Sequence, residues 1–381
     1  MIKLWFFRIP EIVYGEDSLS YLESTRHRRF LIVTDRNIAR TDFPDLVMNN
    51  LPDASSSMLF SDIGEEPAFD EMTKSIERIR EFAPDCIIAL GGGSVMDSAK
   101  VIAFTYANPA RQIYDLTPLE HLGIREKVSI IAIPTTSGTG SECSWAAVVS
   151  ESDGLTKRKM ELASTEILPE TAILDPVFVR SLPLKQTVST AVDAIVHAIE
   201  AYTSQWRNPY SDAMAIKALQ LITGSIRSVI KDPLNIEFRN NVHIGASMAG
   251  SAFSNSQIGL AHAMGHALGS CFRIAHGYAV GLYIPEIIKY NSAEVPDLYR
   301  EIRNAFPADA RKKDLYGTIR YFFEEIGQPL TIRECGIDAS AYESKMETLV
   351  KLSMESTGSL TNARESDSDS IRSIMLKVRG I

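Results

Sequence analysis

The segment GLAHAMGHALGSCFRIAHG, residues 259–277, holds three of the chain's seven histidines: His262, His266 and His276. Most of the other residues in this segment are small or apolar, a composition that is typical of a buried helix. Imidazole groups are polar, and burying a polar group without a partner is unfavourable. The concentration of histidines therefore calls for a ligand that all or some of them bind.

A second apolar segment, VDAIVHAIEAY, places Asp193 and His197 four residues apart. Residues at this spacing lie on one face of a helix, as His262 and His266 also would. An isolated buried carboxylate would be destabilising or would become protonated, and a divalent metal shared between the two segments removes this problem. Imidazole and carboxylate ligands together suit Zn²⁺ or Fe²⁺.

The choice among these ligands stays open from spacing alone. Each histidine taken singly is more typical of an ordinary core or surface residue, so the metal prediction depends on all five groups occurring together. The four-residue spacing favours His262 and His266 as the ligand pair, with His276 outside the metal's ligands. The remaining histidines have no comparable neighbours and are predicted to have no role in the site: His27, His121 and His243.

Two small-residue loops follow predicted buried strands. DCIIALGGGS, residues 85–94, breaks into glycines and leads into a predicted helix, and TTSGTGSE, residues 135–142, follows the next strand. Backbone N–H groups at a helix N-terminus bind anions, and glycines allow a pyrophosphate to approach the backbone closely. Either loop alone could be only a tight turn, but two of them at the ends of neighbouring strands favour a dinucleotide.

The acidic residue Asp35 ends the apolar run FLIVTD, residues 30–35. A carboxylate at this position can accept hydrogen bonds from ribose hydroxyls and would repel a 2′-phosphate, which favours NAD over NADP. Asp35 is equally suited to be the N-cap of the next helix, and the two roles are compatible. The basic cluster KRK, residues 157–159, is predicted to be a solvated turn.

Composition excludes several classes of function. The chain has 381 residues, 45% hydrophobic and 23% charged, with a net charge of −9, so it offers no general basic surface for nucleic acid. Its start has no signal-peptide pattern, and no apolar run reaches the roughly 18–20 residues that a membrane span requires. The four cysteines lack metal-ligand or disulfide spacing, so we expect reduced thiols and a cytoplasmic location.

The elements that position these groups divide into two kinds. Up to about residue 183, short continuous apolar strands alternate with helical segments such as 72–82 and 95–107, a pattern typical of a parallel sheet covered on both faces. From residue 184 onward, Ala, Met, Leu and Ile recur at helical spacing and no convincing strand pattern remains. We therefore predict an α/β domain over 1–183 and an all-helical domain over 184–381.

Several motifs, in order and spanning almost the whole chain, resemble the iron-containing alcohol dehydrogenases, a branch of the dehydroquinate synthase-like superfamily. The matching segments are RIPEIVYGEDSL, LIVTD, ALGGGSVMDSAK, IPTTSGTGSE, LDPVFVRSLP, DAIVHAIEAY, GLAHAMGHALG and HGYAVGLYIPEIIKYN. The resemblance implies a Rossmann-like dinucleotide-binding domain followed by a helical metal-binding and substrate domain, with the active site in the cleft between them. It also implies a homodimer or a higher homo-oligomer.

The resemblance also implies roles for individual residues. The metal ligands carried over from it are Asp193, His197, His262 and His276, with Fe²⁺ expected and Zn²⁺ the alternative. His266 is then the active-site residue beside the substrate and the nicotinamide, and Phe253 lines the substrate pocket. The implied cofactor contacts are Asp35, Gly92, Gly93, Ser94, Thr135, Thr136, Thr139, Lys159 and Leu182.

The function expected from these features is hydride transfer between NAD(H) and a small alcohol, aldehyde or ketone, with the metal as Lewis acid on the substrate oxygen. A metal-dependent hydrolase is one alternative, although it leaves the glycine loop and Asp35 unexplained. A dehydroquinate synthase-like lyase that uses NAD is the other. It would need a basic pocket, and GLAHAMGHALG contains neither lysine nor arginine.

Overall fold

The computed structural model describes residues 6–64, 75–118, 120–152 and 157–380, and for 150–152 and 157–159 it describes the main chain alone. The chain forms two compact units. One is Arg8–Thr136 with Gly140–Ser181, and the other contains Leu182–Ile381 together with Ser137–Thr139. They are called here the α/β unit and the helical unit.

The α/β unit is built on a six-stranded sheet in which every pairing is parallel. The strands of this sheet are β1 (Glu11–Tyr14), β2 (Arg29–Asp35), β3 (Ser56–Ile63), β4 (Cys86–Gly91), β5 (Ser129–Pro134) and β8 (Thr171–Leu174). Two further strands, β6 (Ala146–Ser152) and β7 (Lys157–Ala163), form a separate antiparallel pair. The strand order is β1-β8-β5-β4-β2-β3. From β2 the chain continues to β3 at one edge of the sheet and then to β4 on the other side of β2. The strand order therefore reverses between β2 and β4.

Alternate residues of the central strands feed two separate hydrophobic clusters. Leu31, Ile87 and Ile130 belong to one cluster. Their neighbours along the strands, Ile32 and Ile88, belong to the other. Because both faces of a parallel sheet are covered, its strands are continuous apolar runs, which is the pattern that predicted this fold. Three helices accompany the sheet in the described residues: α1 (Phe43–Asn49), α2 (Ile76–Phe82) and α3 (Gly93–Ala107).

The β6–β7 hairpin corrects one expectation. The basic cluster 157–159, predicted to be a turn, lies in β7, and its main chain pairs with residues 150–152 of β6. Short polar segments such as VVSES and KRKME carry little of the apolar alternation that identifies a strand. The two segments form strands because they pair with each other, and neither sequence taken alone indicates a strand.

A fully buried lysine ties α3 to the loop before β6. Lys100 has no exposed side-chain surface, and its Nζ donates hydrogen bonds to Ser141 Oγ at 2.9 Å and to the carbonyl of Ala146 at 2.7 Å. Asp97, whose Oδ1 is 3.7 Å from Nζ, accepts hydrogen bonds from Ser141 Oγ and Val148 N–H. Burial lowers the pKa of Lys100, and Asp97 opposes that shift.

Replacing Lys100 with methionine should destabilise the α/β unit. The substitution removes the cation beside the buried Asp97 carboxylate and leaves that charge with hydrogen bonds alone. We expect a loss of about 3 kcal/mol in the free energy of unfolding, or roughly 6–12 °C in Tm for a unit of this size. Thermal denaturation followed by circular dichroism measures the change. The same substitution at the exposed Lys127 is the matched control. Equal Tm values for the two variants would contradict the assignment of a stabilising role to Lys100.

The helical unit contains the remaining helices, and from residue 184 to residue 380 the structure assigns no strand. Its helices are α4 (Leu184–Thr203), α5 (Pro209–Lys231), α6 (Ile236–Ser254), α7 (Leu260–Cys271), α8 (His276–Asn291), α9 (Pro296–Ala305), α10 (Leu315–Ile326), α11 (Ala339–Ser344), α12 (Met346–Glu355), α13 (Thr357–Thr361) and α14 (Ser368–Lys377). One hydrophobic cluster runs through α4 to α8 and beyond. The α/β fold followed by a helical region is therefore confirmed.

Helix α5 is longer and more apolar than the sequence was expected to provide, since no apolar run long enough for a membrane span was predicted. By length and composition alone it could cross a membrane, and among the described residues it is the one helix that passes this test. Core helices pass the same test. Ala215, Leu219, Ile222 and Ile226 of α5 are buried in the hydrophobic cluster of the helical unit, which is the packing of a core helix.

Candidate functional site

Three helices of the helical unit bring Asp193, His262 and His276 together. Asp193 lies in the middle of α4, His262 in the first turn of α7, and His276 is the first residue of α8. Asp193 Oδ1 is 3.4 Å from Nε2 of His262 and 3.4 Å from Nε2 of His276. One potential ligand atom from each residue lies within 4.8 Å of the others.

A glycine makes this approach of α8 to α4 geometrically possible. A Cβ atom on Gly277 would lie 1.7 Å from the carbonyl oxygen of Ser189 in α4. Any larger residue after His276 would therefore push the start of α8 away from the helix that carries Asp193. His276 remains 41% exposed, whereas Asp193 and His262 are buried.

His197 lies beside this group, one turn after Asp193 on α4. Its Nδ1 is 4.0 Å from Asp193 Oδ1, longer than the two distances to the other imidazoles. The ring stacks against His262 at a centroid distance of 4.2 Å and against Phe253 at 4.3 Å. The structure thus brings the four predicted ligands to one place and puts the half-buried Phe253 next to them.

Unsatisfied buried atoms at the centre of the group fit a metal ion. Asp193 Oδ1, His197 Nδ1 and His262 Nε2 are buried and, within the part of the chain that the structure describes, have no hydrogen-bond partner. Buried polar atoms are normally hydrogen-bonded, so three such atoms in one place indicate a missing partner that accepts lone pairs. A carboxylate with imidazoles is a donor set for Fe²⁺ or Zn²⁺.

The electrostatics of the group favour the charged carboxylate. Burial alone would raise the pKa of Asp193, but the imidazoles of His197, His276 and His262 hold it well below its ordinary value. Burial lowers the pKa of His197 well below its ordinary value. Burial alone would also lower the pKa of His262, but Glu200 and Asp193 raise it to about 9. A metal ion that binds His262 must therefore displace a proton, and metal affinity should decrease as the pH falls.

His266 lies one turn after His262 on α7 but outside the three-residue group. Its ring centroid is 6.0 Å from that of His262 and 5.1 Å from that of His276, and the side chain is half-buried. The residue whose ligand atom the structure groups with those of Asp193 and His262 is His276, the first residue of the next helix. The spacing argument that favoured His262 and His266 as a pair is therefore not supported by the geometry.

Glu200 is a further polar residue of this region that the sequence-based prediction missed. Its side chain is buried, and Oε2 is 2.6 Å from Nδ1 of His262. It also accepts hydrogen bonds from the N–H groups of Gly259 and Ala261. The available signal was its position in DAIVHAIE: Glu200 is seven residues after Asp193 and three after His197, on the same face of an otherwise apolar helix.

A second set of predicted residues lies at the carboxyl edge of the sheet in the α/β unit. Asp35 ends β2, Gly92 and Gly93 follow β4, and Thr135 and Thr136 follow β5. These three strands are neighbours in the sheet, and the first two flank the point where the strand order reverses. Ligands of open parallel sheets bind at the carboxyl ends of the strands, at such a reversal.

The two loops of this edge are in contact. A Cβ atom on Gly92 would lie 3.4 Å from Cγ2 of Thr136, and Thr135 N–H donates to the Gly91 carbonyl at 3.0 Å. Gly92 is the N-cap of α3, so the first N–H groups of a 15-residue helix lie at this edge. Asp35 Oδ1 accepts hydrogen bonds from the N–H groups of Asn37 and Ile38, but the N-cap of the short helix that follows, Ile38–Arg40, is Asn37 and not Asp35 as predicted.

Four further cofactor residues were predicted. Ser94 lies in the first turn of α3, directly after Gly93, whereas Thr139 and the half-buried Leu182 are part of the helical unit. The side chain of Lys159 lies outside the described residues. His243, for which no role was predicted, is buried on α6, with Nδ1 3.0 Å from Ser137 Oγ, and burial lowers its pKa to about 4.

Two family models match the chain. One described as "Iron-containing alcohol dehydrogenase" matches residues 10–176, and one described as "Fe-containing alcohol dehydrogenase family, C-terminal" matches residues 187–378. The chain is 31% identical over 378 residues to an NADPH-dependent butanol dehydrogenase of Clostridium saccharobutylicum, an alignment that covers 97% of this chain and 96% of that protein. It spans 44% of the longer aldehyde-alcohol dehydrogenase of Streptococcus pneumoniae.

Solved structures give the same result. An iron-containing alcohol dehydrogenase from Thermococcus thioreducens superposes with a TM-score of 0.88 at 30% identity, over 98% of this chain and 99% of that chain. A sulfoacetaldehyde reductase from Bifidobacterium kashiwanohense, in complex with NAD⁺, superposes with a TM-score of 0.85 at 25% identity, over 99% of each chain.

Proposed function

The chain belongs to the iron-containing alcohol dehydrogenase family, and on this premise we propose that it transfers a hydride reversibly between NAD(H) and a small alcohol or the corresponding aldehyde or ketone. The observation that carries the proposal is the group of three buried, unpartnered atoms on Asp193, His197 and His262, beside His276. Family membership favours this activity over the hydrolase and lyase alternatives.

We propose that Asp193, His197, His262 and His276 hold one divalent ion, Fe²⁺ with Zn²⁺ as the alternative. When bound, the ion supplies Lewis acidity toward the oxygen of the substrate, and NAD(H) supplies or accepts the hydride. The Asp193 carboxylate supplies negative charge to the site, because its pKa is held low. Phe253 packs on His197 and would present an apolar surface to the carbon chain of the substrate.

His266 is proposed to handle the proton. An imidazole can hold and release a proton near neutral pH, so a ring nitrogen of His266 can donate to the substrate oxygen during reduction and accept from it during oxidation. Its assignment to the proton, and not to the metal, stays a prediction from the family resemblance.

The cofactor is proposed to bind at the carboxyl edge of the α/β unit. The N–H groups of Gly92, Gly93 and Ser94 at the start of α3 suit a pyrophosphate, and the hydroxyls of Thr135 and Thr136 lie on the adjoining loop. Asp35 suits the ribose of the adenosine half. Contacts from Thr139, Lys159 and Leu182 stay predictions from the family resemblance.

Replacing Asp35 with asparagine should shift the cofactor preference toward NADPH. The amide keeps an oxygen for the hydrogen bonds from Asn37 and Ile38 but removes the charge that would repel a 2′-phosphate. We expect the ratio of kcat/KM for NADPH to that for NADH to rise roughly 10- to 100-fold, which corresponds to about 1.4–2.8 kcal/mol. Steady-state kinetics with each cofactor and one aldehyde measure the ratio.

Asp62 is the matched control for this substitution, because it is an exposed acidic residue on β3 whose ion pair is with Arg36. Asp62→Asn should leave the ratio unchanged. A wild-type enzyme that already uses both cofactors equally well, with no change in Asp35→Asn, would contradict the proposed role of Asp35.

The proposed activity is tested by anaerobic metal removal and reloading. The protein is stripped with a chelator, reloaded with Fe²⁺ or Zn²⁺, and assayed for NADH and NADPH oxidation with a panel of aldehydes and ketones. We expect activity to return with Fe²⁺ and to depend on NADH. Full metal loading without turnover of any carbonyl compound would contradict the dehydrogenase proposal.

Three further properties are proposals. None of the four cysteines forms a disulfide in the structure, which supports a cytoplasmic location. A homodimer or higher homo-oligomer is proposed from the frequency of such assemblies, and light scattering of the purified protein tests it. The division into domains over 1–183 and 184–381 is proposed from the change in sequence pattern.

A further inference from the structure

We infer that Glu200 is a positioning residue of the metal site, whose carboxylate fixes the tautomer of His262 so that Nε2 is the ligand atom. The inference depends on the metal-binding part of the proposed function. Glu200 is not among the proposed ligands, since its carboxylate faces Nδ1, the ring nitrogen on the other side of His262 from Asp193.

The hydrogen bonds around Glu200 determine which atom donates. Oε2 lies 2.6 Å from His262 Nδ1 and accepts from Gly259 N–H at 2.9 Å, and Oε1 accepts from Ala261 N–H at 2.5 Å. Backbone N–H groups can only donate, so both carboxylate oxygens act as acceptors. The 2.6 Å contact to His262 Nδ1 is therefore a hydrogen bond that the imidazole donates to a carboxylate oxygen, with the hydrogen on Nδ1.

The opposite side of the ring has the complementary arrangement. His262 Nε2 faces Asp193 Oδ1 at 3.4 Å, which is long for a hydrogen bond involving an ionised carboxylate. A neutral imidazole with its hydrogen on Nδ1 has its lone pair on Nε2. If the hydrogen were on Nε2 instead, it would point at Asp193 and leave no lone pair on Nε2 with which to bind a metal. Glu200 therefore selects the tautomer that can bind the ion.

The fold provides a site for the charge of Glu200. Gly259 is the N-cap of α7, and a Cβ atom there would lie 2.9 Å from Glu200 Oε1, so glycine allows the close approach. The N-terminus of this 12-residue helix stabilises a negative charge. Glu200 is buried, and it borders a small space lined by both apolar and polar residues, among them Ile284, Ile287, Asn291 and Tyr299. Burial of this kind strengthens the hydrogen bond to His262.

Glu200→Gln tests the inference with little change in shape. The glutamine amide can accept from a backbone N–H but presents N–H groups to His262 Nδ1, which reverses the required hydrogen bond. We expect the affinity for Zn²⁺ to fall about 10- to 100-fold, as is typical when a residue that orients a ligand is changed. Competition with a chromophoric chelator measures the dissociation constant, and kcat/KM with NADH and one aldehyde is measured in parallel.

Glu286→Gln is the matched control. Glu286 is another buried carboxylate of the helical unit, on α8, and accepts a hydrogen bond from Tyr316. We expect this variant to keep wild-type Zn²⁺ affinity. An unchanged Zn²⁺ affinity in Glu200→Gln, with normal dehydrogenase activity in the wild type, would overturn the inference and leave the proposed function intact.

A measurement on the wild type keeps the inference testable if Glu200→Gln does not fold. Long-range ¹H–¹⁵N correlation spectra of the histidine-labelled, Zn²⁺-loaded protein report the tautomer of each imidazole, and the His262 signals are assigned by their loss in His262→Gln. We expect hydrogen on Nδ1 and metal on Nε2. The reverse pattern would overturn the inference, and a wild type that binds no Zn²⁺ or Fe²⁺ would overturn the proposed metal site together with it.

Discussion

Replacing Asp193 with asparagine should remove the metal and nearly all activity. Asp193 Oδ1 is the atom that both His262 and His276 approach at 3.4 Å, and the imidazoles hold this carboxylate in its charged form. Asparagine keeps the shape but loses the charge. We expect metal affinity to fall by at least about 100-fold and kcat/KM for aldehyde reduction by at least about 1,000-fold, since the Lewis acid is lost.

Elemental analysis of the purified variant, after anaerobic loading with Fe²⁺, measures the first effect, and NADH oxidation measures the second. Asp212→Asn is the control, because Asp212 is a carboxylate of the same unit whose partner is Arg207 on the outer part of the fold. We expect it to keep its metal. A full equivalent of tightly bound metal in Asp193→Asn would show that this carboxylate is not a ligand.

Substituting alanine for His266 and for His262 should give opposite results for metal and similar results for activity. His262→Ala removes a buried ligand atom and should lose the ion. His266→Ala should retain it but reduce kcat by about 10²- to 10⁴-fold, which is the usual contribution of a positioned acid–base group. The two residues are one turn apart on α7, so each variant is a control for disruption of that helix by the other.

Metal content and kcat are measured for both variants over a range of pH. The pH profile of kcat for His266→Ala should also lack the limb that the proton donor produces in the wild type. Equal metal loss in the two variants would contradict the division of roles, and so would normal turnover in His266→Ala. The prediction separates two histidines that are chemically identical and four residues apart.

Local sequence was sufficient for most of the architecture. The continuous apolar runs of β2, β4 and β5 predicted a sheet buried on both faces, because each strand must fill two hydrophobic clusters at once. The glycines after β4 and the small residues after β5 marked the carboxyl edge of that sheet. The β6–β7 hairpin was missed because its strands are polar and depend on each other for pairing.

The site was predictable only in part. Asp193 and His197 could be paired from sequence, because a four-residue spacing on an apolar helix fixes them on one face. Glu200 lies on the same face of α4 as Asp193 and His197. It could not be connected to His262 from sequence, because the two residues are 62 positions apart in the chain. A carboxylate in a helix gives no local sign of which donor it will meet. Contacts of this kind depend on how helices pack, which periodicity does not report.

The three histidines of GLAHAMGHALGSCFRIAHG show the limit most clearly. The sequence by itself determined that imidazoles and a carboxylate lie on buried helices, and hence that they require a metal or an equivalent partner. It did not determine from residue spacing which histidines would meet Asp193. The family resemblance named His276, and the tertiary structure places its Nε2 3.4 Å from Asp193 Oδ1, because α8 starts against α4 at Gly277, where a side chain would collide with Ser189. Spacing along one helix fixes a shared face, whereas a site built from three helices depends on the distances between their backbones.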